Sequence, residues 1–447
     1  MRRRLAAATM LVTLAVLLAG CDTLDDLATT IFGDTSKEKL PGERVSVLSL
    51  DHRLEPDPKL AGTAVSLPQA VVNADWAQSG GVPGHVMGHL ALNDDLHKAW
   101  TTDIGDGASR YGRISAQPVV SGGRIFGIDA RDVVFALDAK SGSRLWENDV
   151  KPEAERDHSF GGGVAVAGDR VFVTTGYGHV LALDAATGRE IWRQSLNAPM
   201  RGPPTVADGR VFAITVENQL DALSASDGHL LWTHSGLPEP AGLLGGASPA
   251  VEGDTVIAPY TSGEIFALRT ENGRPLWTDN LATARPVGAL STLADIRGRP
   301  VIDHGRVYAV SHSGRMLAID LRTGARVWEQ EIGGTQGPWV VGDYIYVLSN
   351  DTDLLCLTRD GGVRWVRELP RFEDEVKRRR PLRWAGPVLA GNRLLVVATN
   401  GTGSWVSPYT GEVVGKIEFP DDVFVDPIVA DDTLYVLTDD ADLIALR

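Results

Sequence analysis

The chain has 447 residues, with 58 acidic side chains against 43 basic ones and a formal net charge of −15 at pH 7. Such a surface argues against nucleic acid as a partner, and the length allows a large closed core. Two cysteines give no disulfide framework. The absence of HExxH, CxxCH and phosphate-binding glycine motifs leaves no catalytic residue, metal or cofactor to expect.

The first residues, Met1-Arg2-Arg3-Arg4, form a positive head, and Leu5 to Leu18 is apolar but too short for a comfortable membrane span. Leu18-Ala19-Gly20-Cys21 follows, with small residues before a cysteine, and resembles the bacterial lipobox. Residues 1–20 are therefore read as a signal peptide. The resemblance implies cleavage before Cys21 and its lipidation, an anchor of several acyl chains on one residue. Asp22 comes next, and in the sorting rule of enteric bacteria an aspartate there implies retention at the inner membrane. Residues 21–84 read as a lipidated tether and lead-in. The stretch from Gly33 to Gly42 is polar and breaker-rich, and Pro56, Pro58 and Pro68 follow, so a flexible or extended chain is expected to about residue 75. His85 and His89 are spaced as two ligands on one helical face, with no third ligand evident. Gly84 and Gly88 beside them point instead to an irregular loop over the fold.

From residue 85 helical periodicity nearly vanishes, and one phrase recurs about every 45 residues. It reads Ala136-Leu137-Asp138-Ala139-Lys140-Ser141-Gly142-Ser143-Arg144-Leu145-Trp146, then Ala182-Leu183-Asp184-Ala185-Ala186-Thr187-Gly188-Arg189-Glu190-Ile191-Trp192. Weaker copies end at Trp232, Trp277, Trp328 and Trp365, and a last copy places Gly415 where the tryptophan should be. Each unit holds short apolar runs separated by three turn signals, such as Gly168-Asp169, Gly176-Tyr177-Gly178 and Thr187-Gly188. Such punctuation reads as four antiparallel strands joined by hairpins. Repeated, that is the blade of a β-propeller.

Seven full units run from Pro118 to about Phe419, and three more strands follow, ending in Leu443-Ile444-Ala445-Leu446. The missing fourth strand appears upstream as His97-Lys98-Ala99-Trp100-Thr101-Thr102. The fold class is thus all-β. It is an eight-bladed propeller over residues 85–447, closed by an N-terminal strand that completes the last blade. Trp100, Trp146, Trp192, Trp232, Trp277, Trp328 and Trp365 are read as structural rings filling the wedge between blades. Gly415 then implies a thinner seventh blade, with Trp405 to compensate. Cys356, in Leu354-Leu355-Cys356-Leu357, reads as an inert core residue. Lys377-Arg378-Arg379-Arg380 follows Glu373-Asp374-Glu375 and reads as a mixed, solvated loop.

The Ala-Leu-Asp-x-x-Thr-Gly-x-x-x-Trp units look like the repeats of pyrroloquinoline-quinone proteins. The quinoprotein dehydrogenase branch would imply an enzyme with that quinone and calcium. Those proteins carry an adjacent cysteine pair that this chain lacks. The whole chain, from the lipobox through all eight blades, resembles the BamB family of lipoprotein propellers more closely. Trp76 to Leu90 also looks like the lead-in of proteobacterial members. That resemblance implies a non-enzymatic scaffold at the periplasmic face of the outer membrane. Its implied partners are a POTRA domain of a BamA-type subunit, other lipoproteins of the β-barrel assembly machine, and unfolded outer-membrane clients. The family's docking loops imply Met200 as apolar anchor, Arg201 as charged donor and Asp295 as the first of two acids. Arg297 stands where the second acid should be.

Overall fold

A computed structural model describes residues 54–60, 63–109, 112–159, 161–283 and 293–447. Cys21 and Asp22 lie outside the described residues. Eight four-stranded antiparallel sheets follow one another as the blades of a propeller. In blade one the strands are Val119–Ser121, Arg124–Ile128, Val133–Asp138 and Arg144–Asp149, innermost first. Val134, Phe135, Ala136 and Leu137 are all buried. A middle strand is sandwiched between two neighbouring blades, so its sequence runs apolar without alternation. The outer strand meets a neighbour on one face only, and its burial alternates. The hairpins take the expected turn chemistry: His304 and Gly305 both have positive φ, 48° and 73°, as a type I′ turn requires.

The ring closes as the repeat demands. Lys98–Asp103 pairs antiparallel with Asp442–Leu446, with Thr101 opposite Ile444. His97 and Arg447 exchange backbone hydrogen bonds of 2.7 and 3.0 Å at the seam.

Tryptophan and glycine in the repeated phrase turn out to be two halves of one joint. The Trp146 indole N–H donates to the Ala185 carbonyl of the next blade at 3.0 Å, and its ring lies over Gly188. A Cβ on Gly188 would sit 2.5 Å from that ring, and its φ of 73° also disfavours any other residue. The same joint pairs Trp100 with Gly142, Trp192 with Gly228, Trp232 with Gly273, Trp277 with Gly324, Trp328 with Gly361 and Trp365 with Gly411. Blade seven breaks the series for a topological reason. The turn that would receive its tryptophan lies between the third and fourth strands of blade eight. There the fourth strand is Lys98–Asp103, from the other end of the propeller, so no such turn exists. Gly415 faces Trp405 of its own blade instead, 3.6 Å from an ideal Cβ, and the Arg393 guanidinium sits 4.5 Å from the Trp405 ring. That is a cation–π contact.

The lead-in is extended, and it is bonded to the propeller along its described length. Asp57 N donates to the Val363 carbonyl, and the Tyr344 hydroxyl donates to Ala64 O. Residues 73–90 then cross one mouth of the channel and bond to the innermost strand of every blade. Trp76 exchanges two backbone bonds with Val120, at 2.7 and 2.8 Å. Ala77 O accepts from Val166 N, Gln78 Oε1 from Val206 N, Pro83 O from Val251 N and Gly84 O from Ile302 N. Gly88 O accepts from the Trp339 indole, Leu90 bonds Leu389 and Gly391, and Asn73 bonds Val429 and Asp431. Trp76, 1 % exposed, stacks on Trp339 with centroids 6.2 Å apart. The segment is a hub, and a boundary at residue 84 would run through its middle. The loop anticipated from Gly84 and Gly88 is this hub. His85 and His89 do not converge within it: His85 Nδ1 faces Pro300 O at 2.7 Å, and His89 Nδ1 faces Pro68 O at 2.7 Å.

Candidate docking surface

With the hub on the hairpin side, the opposite face carries the connections between blades and the turns between second and third strands. The connection from blade three to blade four, residues 236–249, brings an apolar stretch to this open face. It reads Gly-Leu-Pro-Glu-Pro-Ala-Gly-Leu-Leu-Gly-Gly-Ala-Ser-Pro, and its Leu237 is 59 % exposed. Pro238 and Pro240 stiffen its exposed part, and side chains hold its base. Asn218 Nδ2 donates to Leu237 O at 2.6 Å, and Glu264 Oε2 accepts from Leu237 N at 2.6 Å.

The far end of the loop is gripped by residues expected at the docking site. Asp295 Oδ2 accepts from Leu243 N at 2.8 Å, Arg201 Nη1 reaches Leu243 O at 3.4 Å, and Arg297 Nε donates to Leu244 O at 2.6 Å. Asp295 is 4 % exposed, and burial pushes its carboxyl above the usual range despite the Leu243 bond and the nearby Arg297 and Arg201. These residues shape the loop. What a partner would meet is Leu237, Pro238, Pro240 and Ala241. Behind them a groove of about 340 Å³ runs between the loop and the Glu217–Asn218 turn, with Arg201 and Asp295 on its wall.

Met200 requires a correction. It is completely buried, packed with Phe172, Val206 and Val211 inside the joint of blades two and three, so it cannot be an apolar anchor for a partner. Leu237 and Leu243 are the apolar candidates on that face. The composition of residues 236–246 could have signalled this, because apolar residues without strand alternation, flanked by proline and glycine, have no blade to enter. Arg297 is not a misplaced surface acid either. It turns toward the channel mouth, with its guanidinium 5.9 Å from the Phe424 ring.

The remaining candidates are structural. The segment around Lys377–Arg380 forms a two-stranded hairpin of Phe372–Asp374 with Arg379–Pro381, and its charges pair internally, Arg380 with Glu373 at 2.9 Å. Cys356 is fully buried, with its thiol pushed up to about 12 by desolvation. Among the described residues no group of three or more His, Cys, Asp or Glu could hold a metal ion. No helix among them is long and apolar enough to cross a membrane.

Comparison with known proteins places this architecture. A family model described as outer membrane protein assembly factor BamB matches residues 130–368 and 358–447. The BamB of Alkalilimnicola ehrlichii is 30 % identical over 206 residues, 46 % of this chain and 52 % of that protein. That of Yersinia pestis is 30 % identical over 235 residues, 52 % of this chain and 58 % of that protein. The chain spans about half the length of the curated relatives it matches. The crystal structure of BamB from Moraxella catarrhalis superposes with a TM-score of 0.67 at 22 % identity, covering 79 % of this chain and all of that one. A quinohemoprotein alcohol dehydrogenase from Comamonas testosteroni shares the fold at 15 % identity and a TM-score of 0.63, covering 88 % of this chain and 82 % of that one. By the extent of the family match, this chain belongs to the family of the outer membrane protein assembly factor BamB.

Proposed function

We propose that this chain is a non-enzymatic scaffold of the outer-membrane β-barrel assembly machinery. It is held by a lipid on Cys21 at the periplasmic face of the outer membrane and docks through its open face on a POTRA domain of a BamA-type subunit. Asp22 makes the membrane the point most worth fixing by fractionation. The observation that carries the docking reading is the loop of residues 236–246. It presents exposed apolar side chains on a rigid base, and Arg201 and Asp295 are bonded to its backbone at Leu243. Preorganised apolar anchors cost little order on binding, and this favours a protein partner. β-Augmentation, with an extended strand lying along the groove beside the loop, is one docking mode that would use it.

The test is co-purification of the lipidated protein from gently solubilised envelopes, with mass spectrometry of what accompanies it. Leu237→Asp and Arg201→Glu should each reduce recovery of a POTRA-containing barrel protein by about tenfold or more, the scale of a lost hot spot. Their melting temperatures should stay close to the parent's. Undiminished recovery with both variants would overturn the site. Failure of the parent to recover such a protein would overturn the function.

A further inference from the structure

The channel that the hub seals on one side is open on the other, and at that mouth lies a second cavity of about 320 Å³. Its walls come from the inter-blade connections and turns of blades four to eight. They include Leu244, Arg297, His312, Arg383, Trp384 and Phe424. Three features set it apart from an ordinary solvent-filled mouth.

The first is charge. In a chain of net charge −15, two guanidinium groups line this cavity with no carboxylate at ion-pair distance among the described residues. Arg297 spends Nε on Leu244 O and Nη1 on Thr335 O, at 2.6 and 3.1 Å, leaving Nη2 without a hydrogen bond among the described residues, and its guanidinium lies 5.9 Å from the Phe424 ring. The nearby acids are already engaged. Asp426 accepts from Arg299 at 2.9 Å and from Gly386 N at 2.8 Å, while Asp295 holds Leu243 N. Burial disfavours the charge on Arg297, and Arg299 and Arg383 push the same way against Asp426 and Asp295. A partly buried cation without an ion-pair partner is well placed to receive an anion.

The second feature is an orphan. His312 Nδ1 is buried without a hydrogen-bond partner in the same wall. Buried polar atoms are seldom left so, and those that are call for a ligand or a functional reason. The third is the apolar lining. Trp384 is fixed by its indole bond to Pro370 O at 2.8 Å, and Phe424 lies 4.6 Å below the Arg113 guanidinium. Both rings are thus held in place at the rim. Cationic forks beside rigid aromatic walls suit a planar anion on an apolar body.

We propose that this cavity binds a carboxylate carried on an apolar or aromatic body, either a free acid or the C-terminal carboxylate of a polypeptide ending in an apolar residue. Arg297 and Arg383 meet the carboxylate, and Leu244, Trp384 and Phe424 take the body. The site is independent of the docking reading, although Leu243 lines both cavities and would let an occupant stiffen the loop.

Calorimetric titration of the purified full-length protein in detergent tests it. The probes are N-acetylphenylalanine, the neutral N-acetylphenylalaninamide and a tetrapeptide with a free C-terminal phenylalanine. The acid should bind about tenfold or more tightly than the amide, as a charge-assisted contact predicts. Arg297→Gln should erase that preference. So should Arg383→Gln, which alters an exposed side chain and leaves the fold intact. A tetrapeptide tighter than the acid identifies a chain end as the ligand, and one no tighter identifies a free acid. Equal binding of acid and amide, no binding of either acid at millimolar concentration, or full affinity in both arginine variants would overturn the proposal.

Discussion

The two faces of this propeller are built from the same repeat and put to opposite uses. On the hairpin face, residues 73–90 bond to all eight innermost strands, and the apolar Trp76 and Leu90 are buried in the core. On the open face the connections vary in length and composition, carry Leu237 into solvent, and surround two cavities. A ring of identical blades has no reason to treat its ends differently. The difference is imposed by a single segment that precedes the repeats, and it leaves recognition to the other face.

Breaking the closed face should have the largest effect. Trp76 is fully buried, so Trp76→Ala should cost about 3–5 kcal/mol in denaturant unfolding, the range for a deleted core aromatic. Trp76→Phe should cost much less, because it keeps a ring against Trp339 and removes an indole N–H that has no partner. If Trp76→Ala were no worse than a surface substitution, the hub would be an ornament on a self-sufficient ring.

The joints between blades come next. Trp146 is half-buried, so Trp146→Ala should cost about 2–3 kcal/mol, below the full-burial range. Gly188→Val should cost as much or more, since it adds strain at positive φ to a clash with the same ring. Gly415→Trp, by contrast, restores the consensus and should gain nothing, because blade eight has no turn to receive it. Thermal melts of the three variants decide the matter. Stabilisation by Gly415→Trp would show that the joint does not need its glycine.

How much of this was legible follows the same division. The repeat announces itself because each blade must solve the same packing problem, so tryptophans such as Trp146, glycines such as Gly188 and short turns such as Gly168-Asp169 and His304-Gly305 recur about every 45 residues and give blade number and closure. The hub does not repeat. Its role was visible only as two glycines in an odd place, because bonds such as Ala77 O to Val166 N are backbone contacts that any sequence could make. The docking residues divide as well. Arg201 and Asp295 meet at one loop, which a motif can suggest, whereas the burial of Met200 depends on the neighbouring blade and cannot be read from its own loop. The loop of residues 236–246 lies between repeats and carries no part of the repeated phrase, so its role follows from the fold.

The faces should also part company with pH, and one kind of substitution reads both. His85, in the hub, and Asp132, in a turn of the open face, both hold positive φ, 63° and 67°, a conformation asparagine tolerates well. Burial, aided by Arg299, lowers His85 to about 3. Its unfolded value is near 6.5, so its contribution is intact above that pH and is lost as pH falls toward 3. Burial raises Asp132 to about 7, against hydrogen bonds from Tyr177 and Ser159. Its unfolded value is near 3.8, so its contribution is intact below that pH and is lost as pH rises through 7. His85→Asn should therefore close the gap to the parent as the pH is lowered from 7 to 5, and Asp132→Asn should gain on the parent as it is raised from 5 to 8. Each differential should be about 1–3 kcal/mol, less than the full linkage because such buried sites relax. Chemical denaturation of the parent and both variants at pH 5, 6.5 and 8 measures it. Parallel stability curves for parent and Asp132→Asn would mean that the open-face turn already admits water. Parallel curves for His85→Asn would mean the same of the hub, and the contrast between a sealed face and a receptive one would fail at its sealed end.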